Sequence, residues 1–88
     1  MAWSVEFNDI AERQLRKLGR QWQKKILDYL EDEIASLDDP RSRGKALTGD
    51  KGGLWRYRVG DYRIICSLEN KVLLILVVAV GHRREIYR

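Results

Sequence analysis

At 88 residues, the chain has room for one compact domain, residues 1–88, and none for a second. Apolar residues make up 44% and charged residues 34%, a globular balance that sets aside disordered and fibrous classes. The net charge of +4 is unevenly spread: residues 1–40 hold six Lys/Arg against nine Asp/Glu, and residues 41–88 hold eleven against four, as expected where one part of a fold faces a polyanion.

The first twelve residues form no apolar leader, because Glu6, Asp9 and Glu12 interrupt them. Trp3-Ser4-Val5-Glu6-Phe7 alternates apolar and polar side chains, as a half-buried strand does. Asn8 can cap the helix that follows. Ala11, Leu15 and Leu18 fall on one helical face, and Gly19 is placed to stop that helix. A longer helix is expected over about residues 21–37. Trp22, Ile26, Tyr29, Leu30, Ile34 and Leu37 form its apolar stripe, while Lys24, Lys25, Asp28, Glu31 and Asp32 take the solvent side. Asp38-Asp39-Pro40 ends it, since proline and the residue before it both resist helical geometry.

Residues 41–53, RSRGKALTGDKGG, are rich in Gly and Lys/Arg and read as a surface loop. The period then changes to two. Leu54–Val59 is a strand, and Gly60-Asp61 is a two-residue hairpin turn whose leading glycine suits type II′. Tyr62–Leu68 is the return strand, and Glu69-Asn70-Lys71 is a second turn. Val72–Val80 is a run too short to cross a bilayer. It suits a central strand covered on both faces. The order β-α-α-β-β-β predicts an α+β fold: a small, mainly antiparallel four-stranded sheet with both helices on one face.

The hairpin carries the chemistry. With Gly60-Asp61 as its loop, Val59 lies opposite Tyr62, Arg58 opposite Arg63, and Arg56 opposite Ile65. Alternation puts Trp55, Tyr57, Val59, Tyr62, Ile64 and Cys66 on one face, the natural core face. Arg56, Arg58 and Arg63 share the other. Like charges directly across a strand pair destabilise a sheet. A polyphosphate lying over them would relieve the repulsion. Neutralisation by helix carboxylates is the alternative, just as ordinary surface charge is the plainer account of the basic half.

The segment after the long strand, Gly81-His82-Arg83-Arg84-Glu85-Ile86-Tyr87-Arg88, adds the single histidine, more arginines and a tyrosine. Histidine titrates near neutrality, which suits proton transfer. One His and one Cys cannot build a protein-only zinc site, so neither a metal nor another cofactor is expected. The lone Cys66 forms no intramolecular disulfide, which fits a reducing, cytoplasmic compartment. Neither a phosphate loop ending in Lys-Ser/Thr nor a Gly-x-Ser-x-Gly elbow occurs. Lys45-Ala46-Leu47-Thr48-Gly49 only superficially suggests a phosphate loop. A connection packing Leu47 onto the core explains it better.

Two stretches together carry a resemblance that covers essentially the whole chain. Leu54-Trp55-Arg56-Tyr57-Arg58-Val59-Gly60-Asp61-Tyr62-Arg63-Ile64-Ile65, followed by Val80-Gly81-His82-Arg83-Arg84-Glu85-Ile86-Tyr87, resembles the RelE branch of the RelE/ParE toxin superfamily. The upstream Lys45-Ala46-Leu47-Thr48-Gly49 also fits. The resemblance implies a type II toxin that enters the ribosomal A site and, without metal, cleaves the messenger to a 2′,3′-cyclic phosphate and a 5′-hydroxyl. It implies as partners the ribosome with its 16S rRNA, the mRNA, and a RelB-like antitoxin that silences the toxin. No membrane is involved.

By the same resemblance, Arg63, Arg83 and Tyr87 match catalytic positions. Arg56 and Arg58 occupy first-strand positions that are lysines in the best-known member, and His82 stands where that member has a lysine. Arginine keeps its proton at ordinary pH, so Arg56 and Arg58 suit phosphate holding better than general-base work. Arg63 and Arg83 are then transition-state stabilisers, Tyr87 stacks on or orients the substrate, and His82 is an acid–base candidate. Lys45 and Arg84 join Arg56 and Arg58 as candidate phosphate-binding residues. Trp3, Trp22 and Tyr29 fit the core better than a partner surface. Two rivals stay open: a ParE-like toxin that binds DNA gyrase, and a non-enzymatic module that binds RNA or the ribosome.

Overall fold

The computed structural model describes residues 3–47 and 53–82. Strand β1, Ser4–Phe7, leads into helix α1, Asp9–Arg16. Asn8 caps α1 as expected, its side chain accepting a hydrogen bond from the Ala11 N–H at 2.8 Å. Ala11 and Leu15 bury the inner face. Gly19 does not stop α1. It is extended, with φ −61° and ψ 154°, and opens helix α2, Arg20–Asp28. The chain has already left helical geometry before it, so no left-handed residue is needed there.

Beyond Asp28 the helix widens into π-helical turns over Tyr29–Ile34. The Ala35 N–H donates to the Leu30 carbonyl, five residues back, at 2.8 Å. The expected stripe holds through this change, with Ile26, Leu30 and Ile34 fully buried. Each such side chain contributes about 1.5–3 kcal/mol by leaving water.

The sheet has five strands in the order β1-β5-β4-β3-β2. The fifth, β2, is the two-residue strand Lys45–Ala46, inside the stretch read as loop. It pairs antiparallel with β3, Trp55–Val59, and is too short for alternation to reveal. Strand β4 is Tyr62–Glu69 and β5 is Leu74–His82. Only β1 runs parallel to its neighbour, β5. Val72 belongs to the preceding 3₁₀ turn, not to β5, and is 68% exposed. Leu73 follows it in the left-handed region at φ 51°.

The hairpin register is as expected, with Val59 opposite Tyr62, Arg58 opposite Arg63 and Arg56 opposite Ile65. Gly60 has φ 61° while Asp61 keeps a negative φ, the type II′ pattern. Helices cover one face of the sheet. Tyr57, Ile64 and Cys66 are buried in that core with Ile75, Val77 and Val80, and Trp55, Val59 and Tyr62 pack against it. The other face of β5 is only half-covered, contrary to a strand buried on both sides. A bulge interrupts the β4–β5 ladder: Ile65 pairs with Ala79 and Cys66 with Val77, leaving Val78 over. Past the end of β1, the Val80 N–H donates to Gln14 Oε1 of α1 at 2.7 Å, which satisfies the bare edge of β5.

Candidate functional site

On the face away from the helices, Gly44, Lys45, Arg56, Tyr57, Arg58 and Arg63 line a cleft of about 260 Å³. Two cationic pairs build it. Arg58 lies directly across from Arg63, and Lys45 directly across from Arg56. No Asp or Glu is among the described lining residues. Helices α1 and α2 pack on the opposite face. Such a cleft holds positive charge at close range and favours a ligand with several negative groups.

Local contacts hold the cleft in shape. The Arg58 Nε–H donates to the Gly60 carbonyl at 2.9 Å. Arg63 Nη1 is buried in the wall. Tyr57 points its ring into the core, where its hydroxyl donates to the Pro40 carbonyl at 2.8 Å. Burial pushes the Tyr57 phenol well above its ordinary pKa, so it stays protonated and works as a strut. The Trp55 Nε1–H donates to the Arg43 carbonyl at 2.6 Å, and Arg43 pairs with Glu33 at 2.9 Å. These bonds fasten the segment that delivers Lys45.

Gly44 was not singled out from sequence, yet it makes the cleft's tight corner. It has φ 74°, and a Cβ there would overlap the Arg56 carbonyl and the Tyr57 ring. Its signal in the sequence was faint: one glycine between two cations.

Of the sequence-predicted site residues, Lys45, Arg56, Arg58 and Arg63 come together. Arg83, Arg84 and Tyr87 lie outside the described residues. His82 does not line this cleft. It pairs with Tyr62, on the helix side, while Gly81 is the residue opposite Arg63. The His82 ring meets Tyr62 edge-on, with centroids 5.9 Å apart. Leu47 is half-buried and lines a neighbouring cavity of about 520 Å³ with Ile65, Ala79, Gly81 and His82 of the sheet and Gln14, Lys17 and Leu18 of the α1 side. Trp3 is buried, and Trp22 and Tyr29 are half-buried, so all three serve packing. Among the described residues, no cluster of His, Cys, Asp and Glu could hold a metal ion. No described helix is long and apolar enough to cross a membrane.

Residues 5–87 match the family model for the ParE toxin of the type II toxin–antitoxin system parDE. The chain belongs to this family. The toxin is 26% identical over 88 residues to toxin RelG of Mycobacterium tuberculosis, covering 100% of this chain and 99% of that protein. Its fold is similar to a chain of the RelBE2 toxin–antitoxin complex of Mycobacterium tuberculosis, with TM-score 0.83, 23% identity, and coverage of 94% of this chain and 93% of that one. It is also similar to a chain of the archaeal RelE–RelB complex of Pyrococcus horikoshii, with TM-score 0.73, 26% identity, and coverage of 94% and 97%. The protein is thus a type II toxin of the RelE/ParE superfamily, as the hairpin and tail residues implied.

Proposed function

We propose that the toxin is a ribosome-dependent endoribonuclease that cleaves mRNA in the ribosomal A site and so stops translation. The observation that carries this is the cleft that brings Lys45, Arg56, Arg58 and Arg63 together. Cleavage at a ribose 2′-OH needs that hydroxyl deprotonated, the phosphorane's negative charge stabilised, and the 5′-oxygen protonated. Arg63 supplies charge stabilisation together with Arg83. Lys45, Arg56, Arg58 and Arg84 hold the phosphates. Tyr87 orients the substrate, and His82, one residue past the partner of Arg63, is a candidate for proton transfer. The products are a 2′,3′-cyclic phosphate and a 5′-hydroxyl, formed without metal.

A RelB-like antitoxin is the expected protein partner. Support comes from similar toxins solved in complex with their antitoxins. The toxin works in the cytoplasm, where ribosomes and mRNA are.

The deciding experiment incubates the toxin with programmed ribosomes and maps new 5′ ends, with an Arg63→Ala/Arg83→Ala double variant beside the wild type. New ends that vanish in the variant support the proposal. Binding without new ends supports a non-enzymatic module. The ParE name of the matching family favours one second reading, inhibition of DNA gyrase. Expressing cells would then show DNA damage before they lose translation.

A further inference from the structure

We propose that Trp22 is a positioning residue for the cleft: from the helix side of the sheet it pins the β3–β4 turn, and through Gly60 it aims Arg58 at the phosphate. This deepens the nuclease reading and rests on it. The indole of Trp22 lies so close to Gly60 that a Cβ there would overlap its ring carbons. Gly60 is therefore required twice, for its positive φ and for the room it leaves. The carbonyl of this same residue accepts the Arg58 Nε–H at 2.9 Å. Arg58 in turn lies directly across from Arg63. A continuous line of contact thus runs from α2 to the cleft.

The indole is itself held. Lys25 Nζ sits 4.7 Å from its ring centroid. Tyr62, the residue after the turn, packs against it with centroids 5.0 Å apart. The turn needs such a pin because Gly60 and Asp61 are both exposed and Val59 and Tyr62 are only half-buried. Nothing else described presses on Gly60 so closely. A turn free to rock would carry its carbonyl, and the guanidinium bonded to it, away from a fixed direction.

The test separates aiming from ordinary packing. Trp22→Ala should raise KM for ribosome-bound mRNA about fivefold, the net size of one ordinary exposed hydrogen bond, and leave kcat within about twofold. In an Arg58→Ala background the same substitution should cost almost nothing, because the two act in series. Trp22→Phe, which keeps a ring beside Tyr62 but lacks the far indole carbons that reach Gly60, should restore the affinity only in part. Additive losses, or a fall in kcat alone, would overturn the proposal. An NMR reading of the Arg58 Nε–H needs no catalysis. The resonance should be protected from exchange in wild type, less so in Trp22→Phe and least in Trp22→Ala; equal protection in all three refutes the aiming role even if the toxin cleaves nothing. Should Trp22→Ala fail to fold, Trp22→Leu keeps apolar bulk without the plane and takes the same measurements.

Discussion

On the helix side of the β3–β4 hairpin, Tyr57, Ile64 and Cys66 are at most 1% exposed, whereas on the other side Arg56, Arg58 and Arg63 line an open cleft. The two sets alternate along the same two strands. One side gains stability by excluding water. The other sets like charges opposite each other, at some cost to stability. On the proposed function, fold and activity should therefore be carried by neighbouring residues that can be altered separately.

That separation can be attacked from either side. The largest effect should come from Ile64→Ala, which removes a fully buried side chain from a small core. It should cost about 2–5 kcal/mol in denaturant unfolding, a large share of the stability of a domain this size. Arg63→Ala should do the reverse. Cleavage of ribosome-bound mRNA should fall about 10²–10³-fold while unfolding shifts by less than it does in Ile64→Ala. If Arg63→Ala unfolds the protein, the two faces are not independent.

Cys66 gives a chemical probe of the covered side. Burial raises its thiol pKa in the folded state. A folded pKa above the unfolded one means the stabilisation is whole below the unfolded thiol's value of about 8.5 and is lost as pH rises beyond it. Stability should then fall by up to about 1.4 kcal/mol per pH unit, a slope that Cys66→Ala should reduce, leaving the smaller share due to Tyr57 at higher pH. Alkylation of native Cys66 at pH 8 should be slow and track unfolding. The smallest effect belongs to the open side. Arg58→Thr removes one member of a like-charged pair and should raise stability by about 0.2–1 kcal/mol while weakening RNA binding. It should also lower the salt slope of that binding by about 0.7–0.9.

The hairpin was legible because two devices agreed: a glycine-led two-residue turn and strict alternation on both sides of it. Together they fixed which arginines share a face. The α1 cap at Asn8 was legible for a similar reason, being a local hydrogen bond. What escaped was non-local or too short. Strand β2 is two residues whose pairing depends on Trp55 and Arg56. The π-helical turns keep an apolar stripe that looks α-helical. Gly44 joins the cleft only because Tyr57 and Arg56 close around it. His82 matched a family position in sequence, but its side of the sheet depends on β5, whose alternation is broken by the bulge.

Val78 acts as a spacer of one, and everything downstream keeps time from it. Because of it, Val77 and Val80 can both point inward although three positions apart, and Gly81 rather than His82 ends up beside Arg63. Were Val78 instead to take a paired place in a regular ladder, the two would be exchanged: imidazole would swing to the arginine side, glycine would turn to the tryptophan side, and Val80 would lose its place in the interior. The chain's apparent surplus therefore decides on which side of the sheet its one histidine emerges.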